Sequence, residues 1–357
     1  MRQISLLGAS LEIGTGLLTQ VGERITSLEP RARKAFLLTD RNCARYAREV
    51  KSGLEARGLE TVLLAIPAGE IQKRLSTAAR IYDRLARAGI ERRSAFVAVG
   101  GGVVTDLGGF VASTWMRGLP LFLVPTTLLA QVDAAIGGKT GVNLPQGKNL
   151  VGTFYQPRAV FCDPAVLRTL PPREFTGGLG EVVKYGMIRD AELLPFLERN
   201  IDAVREQKAE TLEEIVFRCA SIKAEVVSQD EREGGLRAIL NYGHTVGHGL
   251  EAAGGYRRFH HGEAVALGME AEAIIALEMG IAPLETLAVQ NRLLKLCGLP
   301  TRTRGLPRRK VLEAMRLDKK TAEGRLRFVL PEAAGRVRYG VEVSPDLVAA
   351  ALRTVSS

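Results

Sequence analysis

The chain has 357 residues, of which 46% are hydrophobic and 25% charged, a composition that excludes a disordered or fibrous protein and allows two domains. Its 49 lysines and arginines outnumber its 39 aspartates and glutamates, and the formal charge of +10 favours anionic partners. The basic residues are spread from Arg2 to Arg353 with few aromatic residues among them, which is evidence against a nucleic-acid-binding surface.

The four cysteines are too far apart for a CxxC pair and too few for a disulfide framework in a chain of this length. Near the amino terminus, Glu12 interrupts any apolar core of the signal-peptide type. No uncharged apolar run of about 18 residues, the length that crosses a membrane, follows it. The sequence therefore predicts reduced thiols and a soluble, cytoplasmic protein.

Short apolar runs alternate with helical patterns from about residue 35. The runs Ala35–Thr39, Thr61–Ile66 and Ser94–Val99 predict strands, and the helical stretches between them end near Arg57 and Ala88. Because the runs are short and almost continuously apolar, they are typical of strands buried on both faces of a parallel sheet. In such sheets, ligands bind at the carboxyl ends of the strands.

Long helical patterns replace this alternation after Pro171-Pro172, which follow the last clear strand, Ala159–Cys162. The helical patterns cover Leu193–Asn200, Ala209–Ser228 and Glu263–Met279. Two prolines continue neither a helix nor a central strand. We therefore expect an α/β domain over residues 1–172 and a mostly α-helical domain over residues 173–357.

A glycine cluster, Gly100 to Gly109, directly follows the third predicted strand and leads into a helix. Residues without side chains let backbone N–H groups approach a pyrophosphate at the N-terminal end of that helix. A plain tight turn is the alternative. Because the cluster is not the spaced GxGxxG fingerprint, it indicates a nucleotide site of a different type from that of the standard Rossmann dehydrogenases.

Two further segments carry charged residues that suit anionic ligands. Glu70 and Lys73 follow the second predicted strand, where a carboxylate can bond ribose hydroxyls and a lysine can meet a phosphate. Two solvated charges in a first helical turn are the alternative. Lys139 and Lys148 lie near glycine turns in a segment otherwise too apolar for a surface loop. They predict capture of a phosphate or carboxylate, with a solvated basic loop as the alternative.

All four histidines fall within eighteen positions. His244 and His248 are four residues apart and share one helical face, a spacing that lets two imidazoles meet one ion. His261 offers a third ligand at the start of the next helix, and Glu181 offers a carboxylate in a predicted glycine-rich helix start. A catalytic Zn²⁺ takes three protein ligands and leaves one position open, so this cluster predicts a metal site.

Seven motifs occur in a fixed order over nearly the whole chain. They are Gly100–Asp106, Pro125–Thr127, Gly137–Thr140, Gly147–Asn149, Gly180–Lys184, Leu240–His244 and His261–Ala266. In this order they resemble the motifs of the dehydroquinate synthase family. The resemblance implies a Rossmann-like α/β N-terminal NAD-binding domain with a parallel-rich sheet, and a mostly α-helical C-terminal metal- and substrate-binding domain.

The activity that the resemblance implies is that of an NAD- and divalent-metal-dependent lyase, with Zn²⁺ or Co²⁺. Such an enzyme converts 3-deoxy-D-arabino-heptulosonate 7-phosphate to 3-dehydroquinate and phosphate in the shikimate pathway of aromatic amino acid biosynthesis. The implied sequence is transient oxidation by NAD, β-elimination of phosphate, reduction, ring opening and an intramolecular aldol reaction. A phosphorylated, carboxylated substrate also accounts for the basic charge without nucleic acid.

The resemblance also assigns residues, beginning with a metal site of Glu181, His244 and His261. It leaves His248 out of the ligand set, as an acid–base or supporting residue. The residues implied for NAD are Asp40, Gly69, Glu70, Lys73, Gly101, Gly102, Val103, Val104, Thr105, Asp106, Thr126, Thr127, Lys139, Lys148, Val166, Leu167, Arg168 and Thr169. Those implied for substrate and catalysis are Asp133, Lys139, Lys148, Asn149, Lys184, Lys223, Arg237, Asn241, His248 and, reaching in from the partner subunit of a homodimer, Arg117. A weaker assignment falls on Lys319 or Lys320.

Three positions depart from the common family residues: Thr105 replaces a glycine, Ala135 a serine and Leu144 a histidine. Thr105 lies inside the proposed pyrophosphate turn, so it bears on the NAD contacts. The intact substrate lysines, with Asn149 and Asn241, are evidence against cyclases of sedoheptulose 7-phosphate or glucose 6-phosphate. Another sugar phosphate cyclase and an NAD- and metal-dependent polyol dehydrogenase of the same superfamily stay open. A non-enzymatic nucleic-acid-binding protein would leave the metal set unexplained.

Overall fold

The computed structural model of the protein describes residues 1–318 and 326–356, so the assignment to Lys319 or Lys320 lies outside the described residues. The chain forms two compact units. The first comprises Met1–Leu170 and Ala209–Ser228, and the second comprises Pro171–Lys208 and Gln229–Ser357. Among the described residues, every helix is too short or too polar to cross a membrane.

A seven-stranded sheet forms the centre of the first unit. The strands of this unit are β1 Arg2–Leu6, β2 Ala9–Ile13, β3 Lys34–Asp40, β4 Glu60–Ile66, β5 Ala95–Gly100, β6 Leu121–Pro125, β7 Lys139–Leu144, β8 Gly147–Phe154 and β9 Ala159–Cys162. The sheet order is β1-β2-β9-β6-β5-β3-β4, and every neighbouring pair is parallel except β1 and β2. The predicted parallel-rich α/β sheet is confirmed.

The predicted strands agree with β3, β4, β5 and β9 to within one residue at each end. Every residue of β5, β6 and β9 is buried. A central strand with helices on both faces has no side that meets water, so its whole length is apolar. This is why runs of aliphatic residues located these strands in the sequence.

Thirteen α-helices are present in the described residues. They are α1 Val21–Leu28, α2 Ala44–Glu55, α3 Leu75–Arg87, α4 Gly102–Thr114, α5 Pro172–Ile188, α6 Leu193–Arg199, α7 Ile201–Arg205, α8 Ala209–Gln229, α9 His244–Ala253, α10 His261–Glu278, α11 Leu284–Leu296, α12 Arg308–Asp318 and α13 Pro345–Val355. The helical patterns predicted in the second half correspond to α6, α8 and α10, with α10 beginning two residues earlier than expected.

The second unit is mainly helical, and one antiparallel hairpin joins its core. The hairpin consists of β10, Arg327–Ala333, and β11, Arg336–Glu342. Apolar residues of α9, α10, α12 and α13 pack with Phe328 and Leu330 of β10 in one buried cluster. A helical second half is therefore confirmed, although this hairpin was not predicted from the sequence.

Helix α8 packs in the first unit, whereas a division at residue 172 assigns it to the second domain. Contacts with the first unit explain its position, because the side chains of Glu213 and Glu214 bond Thr15 and Arg2. Residues 139–154, whose lysines were expected beside glycine turns, form the antiparallel hairpin β7–β8. Glu181 lies in the middle of α5 and not at a helix start, since α5 begins at Pro172.

Candidate active site

The residues predicted for NAD gather mainly at one edge of the sheet. Asp40 ends β3, Gly69–Lys73 follows β4, Gly101–Asp106 follows β5, Thr126-Thr127 follows β6 and Val166–Thr169 lies beyond β9. Because these five strands are parallel, their carboxyl ends lie at the same edge, where ligands of such sheets bind. Lys139 and Lys148 are the exceptions, since they lie on the β7–β8 hairpin.

The direction of the chain across the sheet reverses between β3 and β5. Strand β4 extends the sheet on one side of this pair, and β6 and β9 extend it on the other. Such a switch point is the usual ligand site of an open parallel sheet. Asp40 and the glycine turn Gly100–Gly102 border it, and α4 begins at Gly102. The Thr105 hydroxyl donates to the Gly102 carbonyl at 3.1 Å and so bonds within its own helix.

Lys73 connects its own segment with two others through its side-chain bonds to Asp106 and Asn149. Its side chain is 6% exposed, and its ammonium bonds the carboxylate of Asp106 and Oδ1 of Asn149, the latter at 2.5 Å. Burial raises the pKa of Asp106, and the Lys73 ammonium opposes this by lowering it. The structure thus brings together two residues predicted for NAD and one predicted for substrate.

Asn143 connects this group and was missing from the predicted site residues. Its Nδ2 donates to Oε1 of Glu70 at 2.7 Å, and its Oδ1 accepts the backbone N–H of Asn149 at 2.9 Å. Its own N–H donates to the Lys73 carbonyl at 2.7 Å. Asn149 has a left-handed backbone, with φ 57°, so this contact holds a strained position. The sequence signal for Asn143 is its place two residues after the glycine-rich stretch Gly137–Gly141.

Lys223 and Asp133, both predicted for substrate, form an ion pair in the first unit, in which Lys223 is buried and Asp133 is half-buried. Lys223 Nζ lies 2.7 Å from both Oδ1 and the carbonyl oxygen of Asp133. Asp133 lies on a π-helical turn, Ala130–Ala134, and Lys223 on α8. This ion pair is a further contact between α8 and the α/β unit.

In the second unit, one carboxylate and two imidazoles converge. Glu181 lies on α5, while His244 and His261 are the first residues of α9 and α10. One ligand atom from each lies within 4.8 Å of the others. Nε2 of each histidine is 3.6 Å from Oε1 of Glu181, whose side chain is 0% exposed. A carboxylate with two imidazoles is a donor set that a catalytic zinc ion takes while one position stays open.

Glycines allow the three helices to approach closely enough for this convergence. A Cβ atom at Gly262 of α10 would lie 1.9 Å from the carbonyl oxygen of Gly177 on α5. A Cβ atom at Gly268 would lie 1.9 Å from the carbonyl oxygen of Gly243, the residue before α9. No side chain fits at either position, because these distances are far below van der Waals contact.

Burial and neighbouring charges set the protonation of the triad. Burial, together with the nearby ammonium of Lys184, lowers the pKa of His244 to about 3. Burial would also lower the pKa of His261, but its hydrogen bonds with Glu181 and Glu251 raise that pKa to about 10. Lys184, predicted for substrate, is itself buried and paired with the Glu181 carboxylate. A neutral imidazole is the form that binds metal, so His244 is ready for this role.

The remaining predicted residues of the second unit surround α9. His248 is exposed, and its ring centroid is 5.4 Å from that of His244, as one helical face requires. It is not one of the three residues whose possible ligand atoms converge. Arg237 is buried and donates to the Glu231 carbonyl, and Asn241 Nδ2 donates to Oε1 of Glu233 at 2.7 Å.

Arg117 belongs to the first unit and is exposed there. It lies on the short turn Trp115–Arg117 after α4 and has a left-handed backbone, with φ 67°. The neighbouring Met116 is left-handed as well, with φ 49°. Two consecutive non-glycine residues in this region are uncommon, so the loop holds Arg117 in an unusual backbone conformation.

A parallel α/β unit and a helical unit that carries a Glu-His-His triad define the class of the sugar phosphate cyclases, and solved structures agree. The chain is similar to 2-epi-5-epi-valiolone synthase from Streptomyces hygroscopicus subsp. jinggangensis, solved with NAD⁺ and Zn²⁺ bound, with a TM-score of 0.88, 27% identity and coverage of 99% of this chain and 98% of that chain. It is also similar to 2-deoxy-scyllo-inosose synthase complexed with carbaglucose-6-phosphate, NAD⁺ and Co²⁺, with a TM-score of 0.89, 29% identity and coverage of 99% and 100%.

Sequence comparison identifies the family within this class. The family models described as 3-dehydroquinate synthase N-terminal and C-terminal match residues 63–177 and 178–321. The 3-dehydroquinate synthase of Gloeobacter violaceus is 48% identical over 345 residues, which are 96% of this chain and 95% of the relative. The chain belongs to the 3-dehydroquinate synthase family, so the resemblance seen in the seven motifs is confirmed.

Proposed function

We propose that the protein converts 3-deoxy-D-arabino-heptulosonate 7-phosphate to 3-dehydroquinate and phosphate, with NAD and a divalent metal ion, Zn²⁺ or Co²⁺, as cofactors. It thereby acts as a phosphorus–oxygen lyase of the shikimate pathway. The observation that carries the proposal is the convergence of Glu181, His244 and His261 in a chain of this family. The similar enzymes solved with NAD⁺ and Zn²⁺ or Co²⁺ support the cofactors.

The triad fits a metal ion because it presents one anionic oxygen and two ring nitrogens to a common point. When bound there, the ion supplies Lewis-acid polarisation of substrate hydroxyl groups. Other residues of the chain orient these metal-donor atoms before an ion binds. Nδ1 of His244 lies 3.1 Å from the Tyr242 carbonyl oxygen, so it carries the proton and leaves Nε2 as the donor atom. The Lys184 ammonium offsets the buried charge of Glu181.

The carboxyl edge of the sheet fits NAD, which supplies a reversible hydride acceptor when bound. Asp40 and Glu70 offer carboxylates for ribose hydroxyls, and the first N–H groups of α4 face the place for the pyrophosphate. Thr126, Thr127 and Val166–Thr169 complete this edge. Because the Thr105 hydroxyl donates to the Gly102 carbonyl, it does not occupy the backbone N–H groups of the turn.

The substrate carries a phosphate and a carboxylate, and the chain offers cations for both. The proposed contacts are Asp133, Lys139, Lys148, Asn149, Lys184, Lys223, Arg237 and Asn241. Lysine and arginine bind such anions by charge-assisted hydrogen bonds. The exposure of His248 beside His244 supports a role for its imidazole in holding and moving a proton at the substrate. The bound carbaglucose-6-phosphate of a similar enzyme supports a phosphorylated, sugar-like substrate.

Assembly and compartment are part of the proposal. We assign the protein to a homodimer in which Arg117 contacts the substrate of the partner subunit. The exposed side chain and left-handed backbone of Arg117 support a role outside its own unit. A cytoplasmic location is supported by the four cysteines, none of which forms a disulfide.

Phosphate release tests the proposed function. Zinc-loaded protein is assayed with catalytic NAD and the heptulosonate phosphate, in parallel with sedoheptulose 7-phosphate and glycerol. Release from the first substrate alone, dependent on metal and NAD and without net NADH, is expected. Activity with sedoheptulose 7-phosphate would instead indicate another sugar phosphate cyclase. Stoichiometric NADH from glycerol would indicate a polyol dehydrogenase of the same superfamily.

A further inference from the structure

The imidazole of His261 lies between two carboxylates. Its Nε2 is 3.6 Å from Oε1 of Glu181, and its Nδ1 is 3.3 Å from Oε2 of Glu251. An imidazole that binds a metal ion is neutral and carries one proton, and the nitrogen that donates this proton leaves the other with a lone pair for the ion. A donor bond from Nδ1 to Glu251 therefore turns the lone pair of Nε2 toward Glu181 and the site of the ion.

Glu251 reaches His261 from α9, the helix that also supplies His244. Glu251 and His244 are seven positions apart, so they lie two turns from each other on one face of α9. The side chain of Glu251 is 7% exposed. A carboxylate buried to this extent loses much of its hydration, so its hydrogen bond to the ring is stronger than it would be at the surface.

The two histidines of the triad are held in different ways. The Nδ1 of His244 bonds a backbone carbonyl, that of Tyr242, and the His244 side chain is 12% exposed. His261 is the first residue of α10, and its side chain is 29% exposed. Packing therefore restrains the His261 ring less than the His244 ring. For His261, the hydrogen-bond partner is a side chain, and a substitution can therefore remove it.

We propose that Glu251 is a positioning residue of the metal site, which orients His261 and strengthens its donor nitrogen. The inference rests on the metal site of the proposed function. It goes beyond that site, because Glu251 contacts the ligand and lies outside the converging triad. A carboxylate behind a histidine ligand fixes the ring and raises its basicity, and losing such a partner typically costs about 10–100-fold in metal affinity or activity.

Metal binding to purified, metal-free protein tests the inference without an activity assay. The affinity for Zn²⁺ is measured by competition with a chromophoric chelator, and the Co²⁺ form is recorded by visible absorption. The variants are Glu251→Ala and Glu251→Gln. The matched control is Glu270→Gln on α10, because Glu270 is equally buried but bonds Asn291 at 2.7 Å and neither histidine.

Glu251→Ala is expected to bind Zn²⁺ about 10–100-fold more weakly and to shift the Co²⁺ absorption bands. Glu251→Gln keeps an oxygen that accepts from Nδ1 of His261. Its affinity for Zn²⁺ is therefore expected to fall less than that of Glu251→Ala, but measurably. Glu270→Gln should match the wild-type protein in both measurements.

Wild-type affinity and spectrum in Glu251→Ala would overturn the inference, as would an equal loss in Glu270→Gln. If circular dichroism shows that Glu251→Ala is unfolded, the inference is judged on Glu251→Gln alone. Wild-type Zn²⁺ affinity and a wild-type Co²⁺ spectrum in that variant would refute the positioning role of Glu251. A wild-type protein that binds no stoichiometric Co²⁺ would overturn the metal site of the proposed function instead. The two failures are therefore distinguishable.

Discussion

The two units build their functional groups by different means. In the first unit, parallel strands bring residues from positions between 40 and 169 to one edge of a sheet. Lys73 and Glu70 at this edge bond Asn149 and Asn143 of the β7–β8 hairpin. In the second unit, three helices place three donor atoms within 4.8 Å by backbone contact at glycines. The first arrangement is a hydrogen-bonded network of many members, whereas the second is a set of three converging donors.

This difference predicts different sensitivities to substitution. A network distributes each ligand contact over several bonds, so the loss of one bond is partly compensated. A three-donor metal site has no spare donor, so the loss of one donor removes the ion or leaves it weakly bound. Substitutions in the triad are therefore expected to cost more activity than substitutions in the sheet-edge network.

The largest effect is expected from Glu181→Gln, which keeps the side-chain volume but removes the anionic ligand. Bound zinc should fall to the background level, and kcat/KM should fall by about 10³-fold or more, since Lewis-acid stabilisation contributes several kcal/mol. Metal analysis of the purified variant, with Glu270→Gln as control, measures this. Stoichiometric zinc in Glu181→Gln would contradict the assignment of the ligand.

A second substitution separates the ligands from a neighbour on the same helix face. His248→Ala should retain zinc, because His248 is outside the triad, yet its turnover should fall by about 10²-fold or more through loss of a proton-transfer group. Metal content and kcat are measured on the same preparation. Loss of zinc in His248→Ala would return His248 to the ligand set.

The sheet-edge network consists of the bonded residues Glu70, Lys73, Asp106, Asn143 and Asn149, and it is tested at Asn143. Asn143→Asp loses the donor to Glu70 and sets two carboxylates side by side, but it keeps the oxygen that accepts from Asn149. One such bond is worth about 1 kcal/mol, so KM for NAD should rise about fivefold, with little change in zinc content. Asn143→Ala removes both side-chain bonds and should raise KM further. Equal KM values in both variants and the wild type would show that the network does not support the NAD site.

The smallest effect is expected at Asp230, whose carboxylate accepts the backbone N–H groups of Arg237, Gly234 and Gly235. These bonds, that of Arg237 foremost, lower the pKa of Asp230 below its ordinary value of 3.8. A lowered folded-state pKa stabilises the protein above pH 3.8, and this stabilisation disappears as the pH falls through the folded-state pKa. Asp230→Asn should therefore reduce Tm slightly at pH 7.

The same reasoning predicts that the Tm difference between Asp230→Asn and the wild type narrows near pH 3. Asp202→Asn is the control, because Asp202 lies at the surface of the same unit with an exposed side chain. A Tm difference that is constant from pH 7 to pH 3 would show that the charge of Asp230 contributes nothing.

Local patterns were sufficient for the elements and for part of the site. The central strands were predictable because burial on both faces requires an uninterrupted apolar run, as in Ala159–Cys162. The shared face of His244 and His248 follows from the helical repeat alone. The ligand set of Glu181, His244 and His261 came from the family motifs, since helical spacing by itself would have included His248.

Contacts between distant segments could not be predicted from those patterns. The sequence shows that Lys223 and Asp133 are charged, but 90 positions separate them, and only the packing of α8 brings them together. The hairpin β7–β8 was missed because its lysines and glycines interrupt the strand pattern. The bond between Asn143 and Glu70 depends on the same hairpin.

The amino-acid sequence alone predicts the alternation of strands and helices, the glycine turn after the third predicted strand and the clustering of the histidines. These features depend on the burial and spacing of neighbouring residues. Tertiary packing sets which unit contains α8, which side chains pair at the sheet edge and which carboxylate contacts His261. Such pairings depend on how helices and strands pack, and a hydrogen bond between distant residues leaves no periodic pattern in either segment.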